Sequence, residues 1–178
     1  MIIYNQDVWI KAGYEAFALS GMNGLKIEQL AKKVGISKSS FYHHFADLEI
    51  FIDLLLKYHI KQSEIIGKKE SLAQDIDPDL INILIDHRID LLFNRQLRIH
   101  QNNRSYAEAL QQSNTIIGNA FVLLWMKDLN LSLTQKQINS LFSLALENFF
   151  LQINNDNMNY TWLSKYFANL KSIATNFT

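Results

Sequence analysis

From Ile27 to Phe45 the apolar residues fall into two short helical registers separated by a glycine. Ile27, Leu30, Ala31 and Val34 recur at i, i+3, i+4 and i+7, which puts small and medium apolar groups on one helical face. Gly35 comes next, where a helix stops in the left-handed backbone region, and Ser37 is placed to accept a backbone N–H at the start of another helix. Phe41 and Phe45, four residues apart, share a face and anchor that second helix to a core. The pattern predicts helix, tight turn, helix, with Lys38, Ser39, Ser40, Tyr42, His43 and His44 facing outward.

Helical spacing continues on both sides. Trp9, Ala12, Ala16 and Leu19 predict a first helix that ends near Gly21 and Gly24. Asp47 is placed to cap a fourth helix, Leu48 to Lys61, with Phe51, Leu54, Leu55 and Tyr58 inward. The stretch from Gly67 to Asp77 is charged and weakly periodic, and reads as a loop. Asp77-Pro78 predicts the start of a nearly all-buried helix, with Leu80, Leu84, His87 and Leu91 on one stripe and Ile81, Ile85, Ile89 and Leu92 on the next. A longer helix follows from about Ser105 to Lys127, in which Gly118 allows close approach of a neighbour or ligand. Thr134 and Gln137 form a capping-box pattern that opens a helix to about Ile153. A last helix carries Leu163, Tyr166, Phe167, Leu170, Ile173 and Phe177. The expected class is all-α: a three-helix bundle with a helix-turn-helix over residues 1–46, and a multi-helix ligand-binding and dimerisation body over 47–178.

The outward set has the chemistry of a DNA surface. A recognition helix lies in the major groove with its N-terminal residues at base edges, while hydroxyls, backbone N–H groups and cations hold phosphates. Any amphipathic helix has a polar outer face. What favours DNA is that the turn glycine, the cap serine, the anchoring aromatics and the outward polar set agree.

The segment Gly21 to Phe51, with Gly21, Leu30-Ala31, Gly35-Ile36-Ser37, Phe41-Tyr42 and His44-Phe45, resembles the head of the tetracycline-repressor-like (TetR) family of bacterial transcription regulators. The resemblance implies a homodimer on a palindromic double-stranded DNA operator, and a helical body that binds a small-molecule effector and releases the DNA. It also implies that the tilt of the fourth helix sets the head spacing. The family's DNA-contacting positions fall on Lys26, Ser37, Lys38, Ser39, Ser40, Tyr42, His43 and His44. Two residues depart from the family pattern. Lys26 stands where Thr or Ser commonly opens the second helix, and Leu48 where a lysine commonly opens the fourth.

Composition narrows the reading. With 48% hydrophobic residues and one proline in 178, the chain is globular rather than disordered. No cysteine means no disulfide framework and no thiolate site, which suits a cytoplasmic location. The Met1-Ile2-Ile3-Tyr4-Asn5 start shows neither a signal peptide nor a membrane span. Net charge is zero, yet from Lys26 to Lys38 four lysines face one glutamate, a local basic patch suited to phosphate. His43, His44, His59, His87 and His100 show no metal-binding spacing, and the adjacent pair points about 100° apart on a helix. There is no Gly-rich phosphate loop and no Gly-x-Ser-x-Gly elbow, so no catalytic residue, metal or cofactor is expected.

In the body Arg88, Arg95, Arg98 and Arg104 cluster near Asp86, Asp90 and Glu108, and read as ion pairs on a solvated face before an anion site. His87, Tyr106, Ser113, Asn114, Phe121 and Trp125 are the candidate ligand contacts, polar groups set among apolar ones. Dimerisation is expected through the helices at about 134–153 and 160–177, which are apolar on more than one face. The function expected is a repressor released by a small apolar or amphipathic effector. The alternative is a ligand-independent dimeric regulator controlled by protein partners.

Overall fold

Among the described residues, 2–129 and 134–176 of a computed structural model, the chain forms nine α-helices and no strand. These are α1 (Ile2–Ser20), α2 (Ile27–Val34), α3 (Lys38–His44), α4 (Leu48–Leu72), α5 (Ile81–Asp86), α6 (Arg88–Ile99), α7 (Arg104–Leu129), α8 (Gln135–Gln152) and α9 (Tyr160–Asn176). A short 3-10 turn, Gly21–Leu25, follows α1, and a wide helical turn, Ile76–Leu80, precedes α5. Two compact units result: Met1–Gln62 with Ile89–Ser113, and Ser63–Arg88 with Asn114–Thr178. Both α4 and α7 contribute residues to each.

In the first unit, α1 buries Trp9, Ala12, Tyr14, Phe17 and Ala18. The stripe expected through Ala16 and Leu19 is turned, with Leu19 exposed, because the aromatic rings of Tyr14 and Phe17 have more apolar area to bury. Helix α2 stops as expected at Gly35, whose backbone is left-handed at φ 69°, ψ 25°. The N–H groups of Gly35 and Ile36 both point to the Ala31 carbonyl. Lys26 gives α2 no side-chain cap; its backbone carbonyl accepts from Gln29 and Leu30 instead.

Helix α3 has seven residues, too few to hold a helix by backbone bonding alone. Tertiary packing holds it. Phe41 meets Trp9 edge-on at 5.4 Å and Phe51 at 5.1 Å, and Phe45 lies 4.9 Å from Phe41 and 4.8 Å from Phe51. Asp47 caps α4 as expected, Oδ1 accepting from the Ile50 N–H at 2.8 Å. A second aromatic group ties α1 to α4 and α6. Tyr14 stacks on Phe93 at 4.2 Å and meets Tyr58 edge-on, and Phe17 packs on Phe93 at 4.7 Å.

In the second unit, α4 continues to Leu72, through residues whose charge suggested a loop. Ser63, Ile66 and Glu70 turn inward while Lys68 and Lys69 face solvent, so the helical register persists with few apolar residues to reveal it. Asp77 stands before Pro78 in extended backbone, but its carboxylate is not the cap expected. It accepts from the Tyr160 and Ser164 hydroxyls of α9, and Asp75 takes the capping role through the Asp79 N–H.

The helix expected to run unbroken past His87 is split there, at φ −100°, ψ 24°. Ile81 and Leu84 before the break are buried in the second unit; Leu91, Leu92 and Phe93 after it are buried in the first. Helix α7 carries Gly118 where a Cβ would meet the Phe142 ring at 3.1 Å, so the close neighbour is α8. Thr134 and Gln137 make both arms of the capping box. Leu163 and Phe167 of α9 are buried, Ile173 is exposed, and Phe177 lies outside the described residues.

Replacing Phe41 by Ala removes the ring that joins α1, α3 and α4. The unfolding free energy, measured by urea titration, should fall by about 3–5 kcal/mol.

Candidate nucleic-acid interface

With Phe41 and Phe45 buried, the opposite side of α3 is left to solvent. Lys38, Ser39, Tyr42 and His43 are exposed, Ser40 and His44 partly so. Ser37 sits at the N-cap in extended backbone, φ −62°, ψ 148°, but its hydroxyl does not take the backbone N–H expected of it. It bonds the Ser39 hydroxyl at 2.9 Å. Ser37, Ser39 and Ser40 therefore stand within one turn at the start of α3, where the Ser40 N–H bonds the Ser37 carbonyl at 3.0 Å. Tyr42 keeps half its surface in water while its ring edge leans on Phe41 at 5.4 Å.

The basic patch is partly neutralised from within. Lys38 Nζ is bonded to Glu28 of α2, and Lys33 Nζ to Glu15 of α1 at 2.7 Å. The Glu28 partnership lowers that carboxyl's pKa and raises that of Lys38, chiefly through the hydrogen bond between them. Glu28 is counted in the patch, but neither pairing is evident in the sequence, since the partners lie 10 and 18 residues apart. Lys26 and Lys32 are exposed on the same small bundle.

Behind the bundle lies a buried polar chain that the periodicity did not reveal. Tyr14 Oη donates to Asp90 Oδ1 at 2.8 Å and lies 2.8 Å from His59 Nδ1. The phenol has one proton, so His59 carries its own proton on Nδ1 and donates it to Tyr14. The chain links α1, α4 and α6. The His59 ring also stacks on Phe93 at 4.7 Å. Burial pushes the His59 pKa down to about 4, against a smaller upward pull from Asp90, and burial with Asp90 pushes the Tyr14 hydroxyl up. Extending the α4 stripe from Phe51 and Leu55 by one turn lands on His59, so the signal was available.

The six candidate ligand contacts do not share one compact unit. Tyr106 and Ser113 belong to the first; His87, Asn114, Phe121 and Trp125 belong to the second. Tyr106 packs edge-on against Phe17 at 5.8 Å, and Ser113 accepts from Asn94 at 2.9 Å. Phe121 stacks on Trp125 at 6.2 Å and reaches Phe142 at 5.4 Å. His87 is buried at the α5–α6 break, and Asn114 is partly exposed. On α8 and α9, Gln152, Trp162, Lys165, Tyr166 and Asn169 line an open depression of about 220 Å³. Arg104 pairs with Glu108, as the arginine cluster suggested. Among the described residues no group of His, Cys, Asp and Glu is placed to hold a metal ion, and no helix is long and apolar enough to cross a membrane.

Residues 10–49 match the family described as bacterial regulatory proteins, tetR family. No curated protein is detectably similar in sequence. Solved structures are similar over nearly the whole chain. A transcriptional regulator from Rhodococcus sp. Rha1 is 13% identical, with 94% of each chain covered and a TM-score of 0.63. A TetR-family transcriptional regulator from Mesorhizobium loti MAFF303099 is 19% identical, covering 97% of this chain and 96% of that one, with a TM-score of 0.57. Another, from Rhodococcus sp., is 17% identical, with 96% of each chain covered and a TM-score of 0.54. At these identities the likeness is one of fold.

The neutral, buried His59 sets an acid limit on that fold. Its folded pKa lies below the unfolded value, so the unfolded chain binds the extra proton and stability is lost as pH falls from 6.5 towards about 4. Urea titrations at pH 7 and pH 4.5 should differ by up to about 3 kcal/mol more in the parent chain than in a His59→Gln variant. Equal differences would remove His59 as the cause.

Proposed function

We propose, from a chain whose residues 10–49 are a tetR-family head on a tetR-type helical fold, that it is a dimeric transcription repressor released from a palindromic operator by a small apolar or amphipathic effector. The observation that carries the reading is the α2–turn–α3 unit, with both phenylalanines buried and Lys38, Ser39, Tyr42 and His43 exposed. The head is residues 1–46 and the body 47–178. Lys26, Ser37, Lys38, Ser39, Ser40, Tyr42, His43 and His44 are its DNA contacts. Tyr42 offers a ring to a thymine methyl and a hydroxyl to phosphate, Lys38 and the serines serve base edges or backbone, and Lys26 holds phosphate. Because α3 carries few determinants, a second copy one helical turn away is needed for specificity.

The dimer forms through α8 and α9. Leu144 and Leu151, seven residues apart on one side of α8, are 69% and 77% exposed, and Ile173 of α9 is 55% exposed. Apolar side chains so far out on adjacent helices are what a second copy covers in a four-helix interface. The effector binds in the body, within the second unit; of the candidate contacts His87, Asn114, Phe121 and Trp125 belong to that unit, whereas Tyr106 and Ser113 belong to the first and are left out of the site. Effector and operator each favour a different spacing of the two heads, so each weakens the other's binding by the same factor.

Selection from a random duplex pool should return a palindrome whose half-sites lie about one helical turn apart. Tyr42→Ala with His43→Ala should weaken binding to it about tenfold or more at fixed salt, and Lys26→Ala should lower the salt slope by about one unit for each phosphate it holds. Unchanged affinity in the double variant would rule out the α3 assignment. Leu144→Glu with Leu151→Glu should shift the sedimentation coefficient to that of a monomer; a dimer surviving both changes would rule out α8.

A further inference from the structure

Most acidic groups of this chain whose contacts are described above have a plain explanation. Asp90 accepts from Tyr14, Asp77 from Tyr160 and Ser164, Glu28 from Lys38, Glu15 from Lys33, and Glu108 from Arg104. Glu70 is different. It lies in the second unit on the inner stripe of α4, one turn beyond the fully buried Ile66, and is itself only 2% exposed. Its Oε2 is sealed from water and has no hydrogen-bond partner among the described residues. Burial alone raises its pKa, to about 8, and no cation offsets it. A buried carboxyl with an unpaired oxygen is costly for a fold to keep, and methionine or leucine would fill the same stripe without that cost.

Such a group becomes favourable when a positive charge is delivered to it. We propose that Glu70 is the counter-charge for a cationic effector: a small amphipathic ammonium compound whose charged head pairs with the Glu70 carboxylate while its apolar part replaces core contacts in the second unit. The inference rests on the effector reading above and specifies the ligand's chemistry. The buried residues of that unit are largely apolar, Ile66, Leu80, Ile81 and Leu84 with Leu124 and Trp125 of α7 among them. Lys68 and Lys69, the neighbouring cations on α4, face solvent and leave the place to a cation from outside. Pairing inside a dry core discriminates strongly between a cation and a neutral molecule of equal size, since only the cation offsets the desolvation of the carboxylate.

The test uses alkyltrimethylammonium ions of six to ten carbons below their micelle concentration, each matched with the neutral alcohol of the same chain, on the full-length protein. Calorimetric titration should give the ammonium ion at least about tenfold tighter binding than its alcohol, the least a buried charged contact contributes. Glu70→Gln should erase that preference and leave the alcohol's affinity unchanged. Glu70→Met should do the same and also raise the melting temperature, which guards against a variant that merely misfolds. A preference that survives both variants, or no preference in the parent chain, overturns the proposal. Operator binding separates the two readings. If the ions bind through Glu70 yet leave operator affinity unchanged, the site stands and effector release fails. If neutral compounds release the operator and Glu70 variants respond alike, effector release stands and the cation site fails.

Discussion

The exposed face of α3 rests on the contact of Phe41 with Trp9 and Phe51. A helix of seven residues does not pay for its own nucleation, so α3 exists as a helix only because its rings are buried against α1 and α4. The same contact fixes its rotation. Phe41 and Phe45 must point inward, and the residues between and before them are left outside as a consequence. The exposed set is thus a by-product of packing, and its chemistry was free to be selected for a partner.

That coupling explains why the head was legible in the sequence. Its signals are local: a four-position apolar stripe, a glycine forced into the left-handed region, two phenylalanines one turn apart. Each can be read within a window of a few residues. Legibility fell where a side chain's role depends on a residue far along the chain. Asp77 looked like a cap because aspartate before proline commonly is one, but two hydroxyls more than eighty residues away compete for its carboxylate. Ser37 was placed correctly on the backbone, yet its hydroxyl turns to a neighbouring side chain, a choice that backbone pattern does not reveal. The break at His87 escaped notice because the apolar register is similar on both sides of it, while the two halves pack into different units.

The candidate site shows the same division. Which residues of α3 face outward followed from periodicity; that Lys38 and Lys33 are held by carboxylates from other helices did not. In α4 the missed feature was of another kind. Beyond Leu55 its inner stripe passes through His59, Ser63 and Glu70, all buried. A stripe search weighted to apolar residues loses the helix at that point, although polar groups on a buried stripe mark a place where packing alone does not account for the residue. His59 pairs there with Tyr14 through Nδ1, whereas the Glu70 Oε2 meets no donor among the described residues.

If α3 reads DNA as proposed, the Glu28–Lys38 pair gives it an internal rival for phosphate. A carboxylate that holds the lysine at the helix start imitates a phosphate oxygen, and it is tethered, so its effective concentration is high and independent of solution. Random DNA offers little that this rival does not already supply, and displacing it also brings an acid near the duplex. On that reading, an operator that engages Tyr42, His43 and the serines together would gain enough elsewhere to drive the exchange. On the proposed reading, a single surface glutamate would then set a small threshold against the abundant wrong sequences, cleared by the right one.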